Sequence, residues 1–219
     1  MGLRLGNAEC RIAVGLRLGC PVVSRHICAC GVPVKPEGVH GLSCRKSAGR
    51  QSRHYAINSI IATALRSAGV PSELEPNGLF RSDGKRPDGA TLIPWSHGRC
   101  LLWDFTCPDT VAPSHLSKTS LAAGSAAVEA EARKSLKYAA LTPANIFMPV
   151  AIETYGSWGL EAAGFIKDLG RRLVVATGEP RAAEFLRQRI DVALQRGNCA
   201  SVMGTLTTHP PDERHVPFT

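Results

Sequence analysis

The tightest constraint in this chain is the placement of two acids around strand-forming sequence. Gly84-Lys85-Arg86-Pro87-Asp88-Gly89 is followed, sixteen residues after Asp88, by Asp104 in Leu101-Leu102-Trp103-Asp104-Phe105-Thr106. Asp88 stands where one strand begins, and Asp104 where the next one ends. If the two pair as a hairpin, the start of one lies beside the end of the other and the carboxylates converge. A hard cation such as Mg²⁺ takes oxygen ligands of this kind, and a metal so held activates water against a phosphodiester. Asp88-Gly89 by itself is also a common turn pair. Asp104 is harder to read as decoration, because an acid buried in an apolar strand needs a partner.

The surrounding pattern supplies a frame for these acids. Tyr55, Ile57, Ile60, Ile61, Ala64 and Leu65 recur at helical spacing from about Arg53 to Ser67, and Gly69 and Pro71 stop that helix. Strands are expected at Ser72–Pro76, Pro87–Pro94 and Cys100–Thr106, with turns at Asn77-Gly78, Asp83-Gly84 and Ser96-His97-Gly98. A Pro- and Ser-rich loop fills Pro108–Ser120, an Ala-rich helix runs Ala126–Leu141, and a strand follows at Ile146–Ile152. Pro149 pushes that strand toward a sheet edge. Helices at Gly159–Thr177 and Arg181–Gln195 complete the order. The fold class is therefore α/β, a mixed central sheet with a β-meander in front and a crossover helix, flanked by helices.

Residues 24–50 have almost no periodicity but hold Cys28, Cys30, His40 and Cys44 within seventeen positions. Three thiols and one imidazole suit tetrahedral Zn²⁺, and four protein ligands make the ion structural, with no open position. The single residue between Cys28 and Cys30 is a tight spacing; His26 is an alternative ligand and Cys20 a spare. Three segments result: a basic lead and zinc knuckle at 1–50, an α/β domain at 51–198, and a disordered tail at 199–219.

Charge separates the same regions. Of a formal net charge of +8, nine Lys/Arg against two acids fall within the first 53 residues. A basic front end points to a polyanion, most simply DNA, with RNA as an alternative. Arg45, Lys46, Arg50 and Arg53 are the candidate phosphate contacts. No run of eighteen apolar residues exists and the start lacks an export signal, so the expectation is a protein neither membrane-spanning nor secreted.

Two further groups complete the candidate site. Glu75 ends the first strand of the meander and can join Asp88 and Asp104 as a third ligand, with Glu73 competing for that role. Thr106, two residues after Asp104, cannot neutralise charge as an ammonium can. Lys137 or Lys134, three apart on one face of the Ala-rich helix, would substitute.

The knuckle, the helix opening at Arg53-His54, Arg86-Pro87-Asp88, Asp104 and Lys137-Tyr138 occur in an order that resembles restriction-like endonuclease domains. These stand at the C-terminus of site-specific non-LTR retrotransposons, after a reverse transcriptase and a Cys-Cys-His-Cys knuckle, and belong to the PD-(D/E)XK superfold. The resemblance covers about residues 15–196. It implies a restriction-endonuclease-like fold, a nuclear location and an Mg²⁺-dependent endonuclease that nicks target DNA to prime reverse transcription. Asp88 and Asp104 would be its metal ligands, Lys137 the relocated lysine and Glu75 the third acid. It also implies a reverse transcriptase partner, for which 219 residues leave no room. The competing expectation is a catalytically inactive, zinc-stabilised nucleic-acid-binding module. The two differ in whether a lysine reaches the carboxylates.

Overall fold

The computed structural model describes residues 3–47, 49–77 and 86–206. Helix α1 (Asn7–Leu18) leads into a small hairpin of β1 (His26–Ile27) and β2 (Pro33–Val34), then the single turn α2 (His40–Ser43). The long α3 (Gly49–Ser67) follows, then β3 (Ser72–Leu74), β4 (Gly89–Thr91) and β5 (Cys100–Thr106). After α4 (Pro113–Thr119) and α5 (Ser125–Lys137) come β6 (Asn145–Ala151), α6 (Leu160–Thr177) and α7 (Ala182–Met203). The chain is mixed α/β, with a four-stranded sheet ordered β3-β4-β5-β6 among the described residues. The first three strands are antiparallel; β6 returns parallel to β5 after α5.

Strand β5 explains the layering. Its five central residues are buried, and alternation sends Leu101, Trp103 and Phe105 into one core with Ile57, Ile61 and Leu65 of α3. Phe165 and Leu169 of α6 and Ile190 and Leu194 of α7 close that core. Helix α5 covers the opposite face, where Ala127 and Ala130 pack on Ala151 of β6. Small residues there let the helix lie close to the sheet. Pro149 sits on β6, the sheet border, where a missing donor is tolerated.

Two helices are capped from outside their own sequence. The N-cap positions of α5 and α6 are Gly124 and Gly159, which have no side chain to offer. Glu153 accepts the Ala126 amide at 3.0 Å, and Glu131 accepts the Ala162 and Glu161 amides at 2.8 and 3.1 Å. Buried acids thus satisfy orphan amides at positive helix ends. A Cβ on Gly159 would lie 2.1 Å from Glu131 Oε1, so glycine is required for the carboxylate to reach.

Several boundaries differ from expectation for physical reasons. Helix α7 runs eight residues beyond Gln195, so residues 199–203 are helix and not tail. Gly197, inside this extension, provides room for Arg53, whose Cβ lies 2.4 Å from the position a Gly197 Cβ would take. Gly41 and Gly49 likewise let the backbone at Ser201 approach, and Cys199, Ser201 and Val202 are buried. The knuckle therefore packs on α7 and shares a small core with it through Leu42, Cys199 and Val202. Part of the expected Pro108–Ser120 loop is α4, which opens on Pro113, a residue suited to a first helical turn. The expected turns at Asn77-Gly78 and Asp83-Gly84, and residues 207–219, involve positions outside the described residues.

Replacing Glu131 with alanine leaves two amides of α6 unpaired. We expect a loss of about 1–3 kcal/mol in urea unfolding, with Glu131→Gln falling between variant and parent.

Candidate functional site

The knuckle is built by one hairpin and one helical turn. Cys28 leaves β1, and a tight turn closed by Gly31 N–H to Cys28 O at 2.7 Å places Cys30 beside it. Gly31 takes φ +88°, which allows the one-residue spacing. His40 opens α2 and Cys44 ends it, so the two lie one turn apart and face the hairpin. The ligand atoms of Cys28, Cys30, His40 and Cys44 all lie within 4.8 Å of one another. Cys28 and Cys44 sulfurs are 3.7 Å apart and Cys30 Sγ is 3.2 Å from His40 Nε2. Edges of about 3.5–3.8 Å follow from zinc bonds of about 2.0–2.3 Å in a tetrahedron, so this quartet can hold a structural zinc ion. His26 is not part of it; its Nε2 meets Thr205 Oγ1 at 3.0 Å. Cys20 is exposed and also lies outside the quartet.

The acidic site lies at the end of the sheet nearest the knuckle. Gly89 pairs with Trp103, and the Asp88 amide donates to Trp103 O at 2.9 Å. Continuing that register sets Asp88 opposite Asp104, as the hairpin expectation requires. Asp88-Gly89 is not a turn pair here. A Gly89 Cβ would lie 2.1 Å from the Trp103 ring, so the glycine makes room for the indole.

Each carboxylate faces a basic side chain. Asp88 Oδ2 accepts the Phe105 amide at 2.7 Å and lies 3.0 Å from His54 Nε2. Asp104 is buried and ion-paired to Lys134 of α5. His54 is oriented from behind: the Trp103 indole N–H donates to Asn58 Oδ1 at 3.0 Å, which turns Asn58 Nδ2 toward His54 Nδ1 at 3.2 Å. In the neutral ring Nδ1 is then an acceptor and Nε2 carries the proton directed at Asp88. The hydrogen bond to Asp88 raises the His54 pKa against the opposing effect of burial. For Asp88, burial pushes upward, but His54 and the Phe105 amide outweigh it and the pKa falls.

The other expected residues are placed differently. Lys134, not Lys137, is the lysine paired with Asp104; the Lys137 amine lies 5.3 Å from the Tyr138 ring centroid. Both lysines line a hollow of about 370 Å³ with Asp88, Asp104 and Tyr138. Tyr138 is buried, and its hydroxyl donates to Arg86 O at 3.0 Å. Glu75 lines the same hollow, but its backbone takes φ +50° after β3 and its exposed carboxylate is ion-paired with Arg86. Glu73 is exposed on β3. Among the described residues the knuckle is the only group of three or more ligand atoms at metal-binding spacing, so Glu75 does not complete a three-acid cluster with Asp88 and Asp104.

A larger cleft of about 1230 Å³ adjoins this hollow and shares His54, Glu75, Asp88 and Lys134 with it. Its far wall is Arg45, Lys46 and Arg50, which are exposed and anchored beside the knuckle. Lys46 donates to Ala29 O at 3.0 Å and Arg50 to Ser43 O at 3.2 Å. Arg53 departs from this set. It is 3% exposed and donates to Asn198 Oδ1 at 2.5 Å, so its charge joins α3 to α7. Asn198 in turn donates to Thr154 O at 2.6 Å. His54 is the site residue that charge counting passes over; its signal is its place four residues before Asn58 on the helix that faces the hairpin. Scanned against protein-family models and searched against curated proteins, the chain matches none. No helix among the described residues is long and apolar enough to cross a membrane.

Two outcomes follow from this geometry. Metal analysis of the purified chain should find about one zinc, lost together with several degrees of melting temperature in Cys44→Ser. The His54–Asp88 pair stabilises the fold fully only between the ordinary values of its members, 3.8 and 6.5. Its contribution falls as pH drops through the depressed Asp88 pKa, and again as pH rises through the raised His54 pKa. The stability gap between parent and His54→Ala should therefore be wider at about pH 5.5 than at about pH 9 in urea unfolding.

Proposed function

We propose that this chain is a metal-dependent DNA endonuclease domain of the restriction-like kind carried by non-LTR retrotransposons. The observation that supports it best is the pairing of Asp88 with His54 and of Asp104 with Lys134 at adjoining strand ends, in a cleft walled by Arg45, Lys46 and Arg50. The order helix, three strands, helix, strand also agrees with the fold that the sequence resemblance implies. A lysine does reach a carboxylate, which is the feature that favours cutting over binding alone.

The donor set suits Mg²⁺, which usually takes one or two carboxylates and leaves its other positions to water and substrate phosphate. Asp88 and Asp104 would hold it, and when bound it would polarise the phosphoryl group and lower the pKa of water. The remaining work belongs to the chain. His54 and the Phe105 amide fix the orientation of Asp88. Lys134 holds an ammonium beside Asp104, ready to neutralise charge developing on the phosphate. Arg45, Lys46 and Arg50 position the backbone through phosphate contacts and read no sequence. Zinc in the knuckle would hold that basic wall in place. DNA as substrate implies work in the nucleus, beside the reverse transcriptase of a parent element.

A second reading is a zinc-stabilised nucleic-acid-binding module that does not cut. It is favoured by the involvement of Glu75 with Arg86, which takes the expected third acid away from Asp88 and Asp104. Nicking of supercoiled plasmid with Mg²⁺ separates the two. The parent should nick, and Asp88→Ala, Asp104→Ala and Lys134→Ala should each lose at least about 100-fold. Equal rates in all four chains would end the nuclease assignment. A parent that shifts DNA in gels without cutting it would favour the binding module.

A further inference from the structure

Tyr55 recurs with the apolar residues of α3, which suggests a place in the core. It lies instead 70% exposed, whereas Ile57 and Ile61 of the same helix are fully buried. Among the described residues it is the only exposed aromatic; Trp95, Trp103, Phe105, Tyr138 and Phe165 are buried and the others are half-covered. It lines the large cleft, next in sequence to His54, and Arg50 lines the same cleft. No hydrogen bond or ring contact within the described residues occupies it. A free aromatic face in a positively charged groove is the arrangement on which nucleobases stack, and a base can reach such a face only when it is out of a duplex stack.

We infer that the cleft takes a DNA strand with an unpaired base stacked on Tyr55, beside the acidic site. This rests on the polynucleotide reading above and names its substrate form: single-stranded or locally opened DNA in preference to intact duplex. The arginines and lysine of the wall hold phosphates whatever the strand, so preference for an open strand comes from the ring.

The test is equilibrium binding without added magnesium, so that cleavage does not intervene. The probes are an oligonucleotide of about a dozen nucleotides carrying 2-aminopurine and a blunt duplex of the same sequence. The chains compared are the parent, Tyr55→Ala, Tyr55→Phe and Arg50→Ala. We expect Tyr55→Ala to weaken single-strand binding by about 5- to 100-fold and to lose the parent's 2-aminopurine quenching. Duplex binding and the salt dependence should not change, and Tyr55→Phe should match the parent. Arg50→Ala should instead weaken both probes and flatten the salt slope. Single-strand binding unchanged in Tyr55→Ala, or both probes weakened equally, overturns the inference. If the parent binds neither probe, the polynucleotide reading fails and takes the inference with it. If the parent binds but never nicks plasmid, only the endonuclease assignment falls.

Discussion

The Trp103 indole connects the core to the cleft. Its ring fills the space over β4 that Gly89 leaves open. Its N–H fixes the Asn58 amide, Asn58 fixes the His54 tautomer, and His54 meets Asp88. Phe105, two positions on, presents its amide to the same carboxylate. A side chain with no exposure at all therefore decides the direction of a polar group in the open cleft. Such chains of hydrogen bonds hold well because the interior end is packed and dry.

A second line of organisation runs through α7. Gly41, Gly49 and Gly197 bring the knuckle, α3 and α7 into backbone or near-backbone contact. Arg53 and Asn198 then tie that junction to Thr154, just past β6. The basic wall of the cleft and the acidic end of the sheet are thereby parts of one packed unit, although the sequence suggests a separate knuckle. A buried arginine in this position contributes through packing and hydrogen bonds, and its charge also acts on nearby Asp109 and Cys107.

What could be read from the residues follows from where the chemistry is local. Strand β5 has the bounds its apolar run indicates, and the four knuckle ligands lie together because their turn residues force them to. The Asp88–Asp104 juxtaposition was legible because hairpin register is arithmetic. The rest depends on partners distant in sequence. The last helix continues past Gln195 with Arg53 packed against Gly197, and Arg53 resembles a surface cation until Asn198 is seen beneath it. Lys134 and Lys137 share a helix face, and only the path of α5 across the sheet decides which meets Asp104. Glu75 pairs with Arg86 because the chain turns into a left-handed conformation after β3, which no periodicity reports. His54 is legible only as part of the helix opening at Arg53-His54; its role beside Asp88 depends on Asn58 and Trp103.

The position of Pro149 has a consequence for how folded copies behave together. The outer strands of the sheet are β3, only three residues long, and β6, which lacks one amide at Pro149. Neither offers the long, regular ladder that a neighbouring chain needs for strand addition. Among the described residues, both margins of the sheet therefore discourage fibril-like stacking between folded copies at high local density.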